Sequence, residues 1–290
     1  DSSRWGELGE TDVDNAERLR ILHGDRVRYV HAWGTWIVWD GRRWVRDPEG
    51  VMVGELAKDV SRRLFEDLAS GDFPADRRRQ LANWAAQSAG RSRISAMVSL
   101  ARGLDGILIK HEDLDADPWA LGVVNGWVDL RTGRHHPPDP HKLMTMQAGT
   151  SAVPGAAAPT WEKALAEWLP DPDVRDYFQR LCGASLVGQT KDHLLVIVWG
   201  PGGNGKSTAL GAIGAVLGDY FVVPHRSLLV TDRHPQHATV VATLFRARMA
   251  VASETERHSR LNDASIKNLT GGDQLRARRL YENEWSFTPS

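Results

Sequence analysis

The stretch that most constrains this chain is Gly200-Pro-Gly-Gly-Asn-Gly-Lys-Ser207, which fits the spacing Gly, four residues, Gly-Lys-Ser/Thr. Before it stands Leu194-Leu-Val-Ile-Val-Trp199, an apolar, β-branched run of the length of a buried strand. After it, Ser207 to Leu217 is rich in helix formers and stops at Gly218. The pattern predicts strand, glycine-rich loop and helix in succession, the context in which this motif binds phosphate. A phosphate chain must approach several backbone N–H groups at once. Gly202, Gly203 and Gly205 have no Cβ to prevent that approach and can adopt positive φ. The helix beginning near Lys206 points its positive end at the phosphates. Lys206 can reach the β and γ phosphates, and the Ser207 hydroxyl can ligate Mg²⁺. The candidate nucleotide contacts are Gly200, Pro201, Gly202, Gly203, Asn204, Gly205, Lys206, Ser207 and Thr208.

Composition bounds the rest. A chain of 290 residues suggests two domains, or one with an appendage. A formal net charge of -1 announces no global attraction to nucleic acid, so any basic surface must be local. One cysteine, Cys182, excludes a disulfide framework and a cysteine-rich zinc site and fits a reducing cytosol. No run approaches the roughly eighteen apolar residues of a membrane span, and no signal peptide opens the chain. The chain starts at Asp1 and stops at Ser290 without a closing element, so the expectation is a piece of a longer protein.

Residues 12–22 fit a short amphipathic helix through Val13, Ala16, Leu19 and Leu22. The period then changes to two, and Asp40-Gly41 marks a hairpin, predicting a three-stranded meander. Its Trp33, Trp36, Trp39 and Trp44 could stack on bases. A sheet this small needs large side chains for its own core, which is the favoured reading. Helices follow over 51–101, with stripes Leu56, Val60, Leu64, Leu68 and Leu81, Trp84, Ala85, Ser88. The clusters Arg77–Arg79 and Arg91, Arg93 fit solvated helix faces, with a nucleic-acid backbone as the other option. Asn125-Gly126 predicts a second hairpin near 121–134. His135, His136, Asp139 and His141 lie in a proline-rich loop with no regular metal-ligand geometry. Residues 149–159, rich in Ala, Pro and Gly, are the linker candidate, and two helices lead from there to the loop strand.

Beyond the loop helix, residues 246–253 fit a strand ending in Glu254-Thr-Glu256. One carboxylate beside a phosphate loop can hold the Mg²⁺ shell while a second orients or deprotonates the attacking water. Glu254 is assigned to the metal with Ser207, and Glu256 to the water. The catalytic set is Lys206, Glu254 and Glu256. Farther on, Lys267 closes a short helix, and Arg276, Arg278 and Arg279 follow a Gly271-Gly272 turn. Arginines this close repel one another unless an anion lies between them, which makes them candidates for DNA phosphate. The alternative is surface charge balanced by Glu282 and Glu284.

The order Gly-Pro-Gly-Gly-Asn-Gly-Lys-Ser-Thr, Ser-Glu-Thr-Glu, Lys267-Asn-Leu-Thr-Gly-Gly-Asp and Phe287-Thr-Pro-Ser resembles the superfamily 3 helicases of phage and plasmid primase–helicase proteins. Asp117-Pro-Trp, Val124-Asn-Gly-Trp-Val-Asp-Leu-Arg-Thr-Gly and Trp161-Glu-Lys-Ala-Leu resemble the helical domain ahead of that helicase, shared with poxvirus primase–helicases. The resemblance covers nearly the whole chain. It implies an ATP- and Mg²⁺-dependent motor on single-stranded DNA, a homo-oligomeric ring (a hexamer) and an attached or partner primase domain. It places the protein in the cytoplasm of a bacterial host, away from membranes. It implies Glu254 and Glu256 as the acids of an AAA+-like core, with Lys267 through Arg279 facing DNA. In the family, a sensor residue and an arginine finger follow the Phe-x-Pro pattern, so this piece alone is expected to hydrolyse ATP weakly.

The expected fold is α/β. A small Trp-rich β unit spans 1–50, a mainly helical adaptor with a β-hairpin spans 51–158, and an AAA+-like P-loop core, incomplete at its C-terminus, spans 159–290. The competing activity is a P-loop small-molecule kinase of the nucleoside monophosphate type.

Overall fold

The computed structural model describes residues 5, 7–189, 193–230, 238–252, 260–280 and 282–290. The chain is a mixed α/β protein that divides into two compact units, Asp1–Asp113 and Leu114–Ser290. No helix among the described residues is long and apolar enough to cross a membrane.

In the first unit, α1 (Asp12–His23) is capped by the Thr11 hydroxyl, which accepts the Asp14 N–H at 3.1 Å. Its inward face is rotated from the expected stripe. Ala16 and Leu19 are buried, but so are Asn15 and Arg18, whereas Val13 is exposed. The polar pair is tolerated because it is bonded: Asn15 Nδ2 donates to Ser88 Oγ at 2.9 Å, and Arg18 donates to Asn15 Oδ1 and the Leu8 carbonyl. The meander follows as β1 (Val27–Val30), β2 (Thr35–Trp39) and β3 (Trp44–Asp47). Asp40 makes its second turn, accepting the N–H groups of Arg42 and Arg43 beside Gly41 at φ 96°. A short strand, β4 (Leu108–Ile109), joins parallel to β1, giving the order β3-β2-β1-β4.

Trp33, Trp36 and Trp44 are buried, so these three side chains serve the core and not base stacking. Helices α2 (Val51–Ser70), α3 (Ala75–Ser88) and α4 (Arg91–Ala101) complete the unit. The inward stripe of α2 is Val53, Ala57, Val60 and Leu64, at helical spacing. These residues share one core with Leu19, Val27, Trp36, Val38, Trp84, Ala85 and Met97. The break expected at residue 50 is therefore not observed, because the sheet is too small to close a core without α2 to α4. Arg77 pairs with Glu10 and Arg93 with Asp12, in keeping with solvated, paired helix faces.

The second unit opens with the expected hairpin, extended to a meander: β5 (Ala120–Val123), β6 (Gly126–Asp129) and β7 (Arg134–His136). Leu121 and Val123 share a core with Ala148, Leu217 and Tyr220. Helices α5 (Pro159–Trp168) and α6 (Pro172–Ala184) follow, each with proline in its first turn. Then come α7 (Lys206–Leu217), β8 (Phe221–Val222), α8 (Ala238–Ala242), β9 (Met249–Ala250), α9 (Asp263–Thr270), β10 (Leu275–Ala277) and β11 (Trp285–Phe287). β8 and β9 pair in parallel, and β10 and β11 antiparallel.

One expectation fails here. Residues 194–199 do not form a strand, and Ile197 and Trp199 are 74% and 90% exposed. A strand buried on both faces needs neighbours at both edges. Among the described residues of this unit, parallel pairing is confined to β8 and β9. Of the strand expected over 246–253, residue 253 lies outside the described residues, and within 246–252 only the two residues of β9 are strand.

Asp47 supplies a direct test of the joined core in the first unit. It is buried, and its carboxylate accepts the N–H groups of Val51 and Val53, each at 2.9 Å, where Gly50 offers α2 no side-chain cap. Asp47→Ala should lower stability by about 1–3 kcal/mol in urea denaturation. An unchanged midpoint would show that the cap contributes nothing.

Candidate nucleotide site

The site is built from the loop at 200–205 and the first turn of α7. Gly203 and Gly205 take φ of 77° and 81°, left-handed values that let the loop curl back on itself. Gly205 is the N-cap of α7, and no side chain caps that helix. The N–H groups of its first turn are thus left to the loop. Lys206 reaches back across the curl. Its ammonium donates to the carbonyls of Gly200 and Pro201 at 2.7 and 3.0 Å and to Asn204 Oδ1 at 2.8 Å. All three ammonium donors are used, and the charge is held over the concave side of the loop. Nothing lies within 4 Å of where a Cβ on Gly202 or Gly203 would stand, whereas at Gly200 it would meet Asn204 Nδ2 at 2.3 Å. Ser207 and Thr208 are exposed at the head of the helix. The expected loop residues are therefore brought together in a form suited to an anion: backbone N–H groups, a positive helix end and one ammonium.

Other expected residues are not gathered there. Glu254 and Glu256 lie outside the described residues. Lys267 is exposed on α9, and Arg276 and Arg278 are exposed on and just after β10. Arg279 turns inward, its guanidinium 5.1 Å from the Trp285 ring centre and 3.7 Å from Glu282. Arg276 lies 4.0 Å from Glu284. The charges of Arg276 and Arg279 are each faced by a carboxylate of their own hairpin, Glu284 and Glu282. No group of three or more His, Cys, Asp or Glu among the described residues could hold a metal. His135 and His136, expected in the proline-rich loop, lie instead on β7, paired with β6; His136 stacks on Trp127 at 4.3 Å and His135 Nε2 meets the Asn125 carbonyl.

Beyond the far end of α7 lies a polar cluster that sequence reasoning missed. Asp115 is buried, and its carboxylate accepts the N–H groups of Thr145 and Met146, at 2.8 and 3.1 Å, and the Thr145 hydroxyl. Tyr220 donates its hydroxyl to the Met146 carbonyl at 3.1 Å and accepts the Gly122 N–H at 2.9 Å. Arg248 stacks on the Tyr220 ring at 4.5 Å and donates to the carbonyls of Leu186 and Ala120. Burial pushes the Asp115 carboxyl and the Tyr220 phenol up from their ordinary values and the Arg248 guanidinium down. The cluster ties β5 and the 143–148 segment to the end of α7 and the start of β9.

A model of the family described as "D5 N terminal like" matches residues 16–170. A protein of Acanthamoeba polyphaga mimivirus named "putative helicase" is 24% identical over 184 residues, covering 61% of this chain and 19% of its own length. One of Frog virus 3 with the same name is 30% identical over 121 residues, 40% of this chain and 12% of its own. One of African swine fever virus named "putative primase" is 23% identical over 189 residues, 61% of this chain and 19% of its own. The chain spans less than a fifth of the length of each of these three relatives.

Removing the Asp115 carboxylate should be severe. Asp115→Ala leaves two inward-facing N–H groups and the Thr145 hydroxyl without their acceptor, and the expected loss is about 3–5 kcal/mol in chemical denaturation. A loss under about 1 kcal/mol would show that water or a rearranged segment replaces it.

Proposed function

The chain belongs to the D5 N-terminal-like family, and from that premise we propose that it is part of a primase–helicase-type replication protein that couples ATP hydrolysis to movement along single-stranded DNA. The observation that carries this reading is the curled loop, with Lys206 bonded across it and α7 starting uncapped at Gly205. Lys206 would exchange its loop carbonyls for the β and γ phosphate oxygens, and the backbone N–H groups of the loop and first turn would hold the phosphates. Ser207, with Glu254, would hold Mg²⁺, which when bound neutralises charge on the phosphate oxygens. Glu256 would orient the attacking water. The viral relatives named as helicases and a primase favour replication over small-molecule phosphoryl transfer.

On this reading Lys267, Arg276 and Arg278 present positive charge to DNA phosphates, Arg279 is withdrawn to a supporting role against Trp285, and the working form is a ring of copies, a hexamer, with a primase domain attached or as partner. Exposed guanidiniums suit backbone contact, which fixes position without reading sequence.

The test is ATP turnover by the full-length protein with and without single-stranded DNA. DNA should stimulate turnover, and Lys206→Ala should lower it by at least a hundredfold, or about 3 kcal/mol. Arg276→Ala with Arg278→Ala should weaken DNA binding and reduce the salt slope by about 0.7 per arginine. Robust turnover indifferent to DNA would overturn the helicase reading and favour the kinase.

A further inference from the structure

We propose that Trp168, the last residue of α5, is a positioning residue that braces the phosphate loop at Gly205 and carries nucleotide occupancy to the helices ahead of it. The inference rests on the phosphate-loop reading above. Its basis is one close contact. A Cβ built on Gly205 would stand 2.5 Å from three atoms of the Trp168 indole, Cδ1, Cδ2 and Cε2. Those atoms belong to the five-membered ring, so the indole is laid over the Gly205 Cα. Gly205 is thus required twice, for its φ of 81° and for the ring against it.

The ring is itself held. Trp161, two turns back on α5, meets it edge to face, with centroids 6.3 Å apart and planes at 82°. The turn after Trp168 is clamped by Arg175, which donates to the carbonyls of Leu169 and Pro170 at 2.7 and 2.9 Å. A chain of contacts therefore runs from α6 through Arg175 to the turn, then Trp168, then Gly205, and so to Lys206.

The loop needs such a brace. Four of the eight residues from Gly200 to Ser207 are glycine, the residue that loses most freedom on being ordered. Inside the curl, Lys206 and Asn204 are also the groups that phosphate would engage or displace. The indole touches the loop at Gly205, while Lys206 bonds the Gly200 and Pro201 carbonyls and Asn204, so it can keep the loop ordered before and after the ligand enters. A loop ordered in advance binds more tightly because less entropy is lost on binding.

The prediction separates positioning from contact with the base. The full chain, Trp168→Ala, Trp168→Phe and Lys206→Ala would each be titrated with ATP and with inorganic tripolyphosphate, by calorimetry and tryptophan fluorescence. Because Trp168 acts through the loop, Trp168→Ala should weaken both ligands alike, by about tenfold. Trp168→Phe should restore binding while losing the ligand-induced fluorescence change that wild type shows. If Trp168→Ala does not fold, that fluorescence difference between wild type and Trp168→Phe, read with tripolyphosphate, which has no base, decides the matter: its presence supports the proposal and its absence overturns it. Unchanged affinities would overturn the brace, and so would a loss confined to ATP, which would make Trp168 a base contact. Lys206→Ala binding tripolyphosphate as wild type does would overturn the phosphate-loop reading itself, and the brace with it.

Discussion

A carboxylate taken out of water must be met by donors, and in the second unit that demand fixes the most backbone. Asp115 draws the Thr145 and Met146 N–H groups onto itself. That places the Met146 carbonyl where Tyr220 can donate to it, while the same phenol takes the Gly122 N–H from the meander. Arg248 then covers the phenol ring and binds two further carbonyls. Each group is expensive to bury alone and acceptable only with the others in place. The end of α7 is fixed by this cluster because Tyr220 closes the short turn that follows it, Gly218–Tyr220.

The other end of α7 is governed by geometry. A helix that begins at a left-handed glycine with no side-chain cap holds unsatisfied N–H groups at a fixed spot. The lysine that follows turns back over the loop. An ammonium and a set of helix-end N–H groups then face the same space, an arrangement that favours an anion over a neutral ligand. One helix thus has its tail locked by a buried polar cluster and its head uncapped by any side chain.

What could be read from the residues divides by range of interaction. Asp40-Gly41 and Asn125-Gly126 marked both hairpins because turn chemistry is local. Helices α5, α6 and α7 followed from spacing and from the stop at Gly218, and the small sheet's need for a core accounted for Trp33, Trp36 and Trp44. Long-range partners were invisible. The run at 194–199 has a strand's composition, but a strand needs neighbours, and composition does not supply them. The shared core across residue 50 depends on Val53, Ala57 and Trp84 meeting residues far away in sequence. Asp115 stands among Asp113 and Asp117, and nothing local marks it as the buried one. Trp168 reads as an ordinary helix-end aromatic until the loop glycine is seen beneath it.

That last contact bears on where this protein can be divided. The composition of residues 149–159 suggests a linker, and a cut there would place α5 with the phosphate loop. The family match instead runs on to residue 170, so Trp161 and Trp168 belong to the matched segment. The start of the supposed linker is itself fastened, since the Gly149 N–H donates to the Val216 carbonyl at 2.9 Å and a Cβ there would strike Ala215. The segment that the family model matches therefore touches α7 at both ends, through Gly149 at its tail and Trp168 at its head. A phosphate loop braced in this way is not an independent module joined by a tether. Its Gly205 packs against a residue that the family match assigns to the neighbouring segment, so the two are parts of one packed structure.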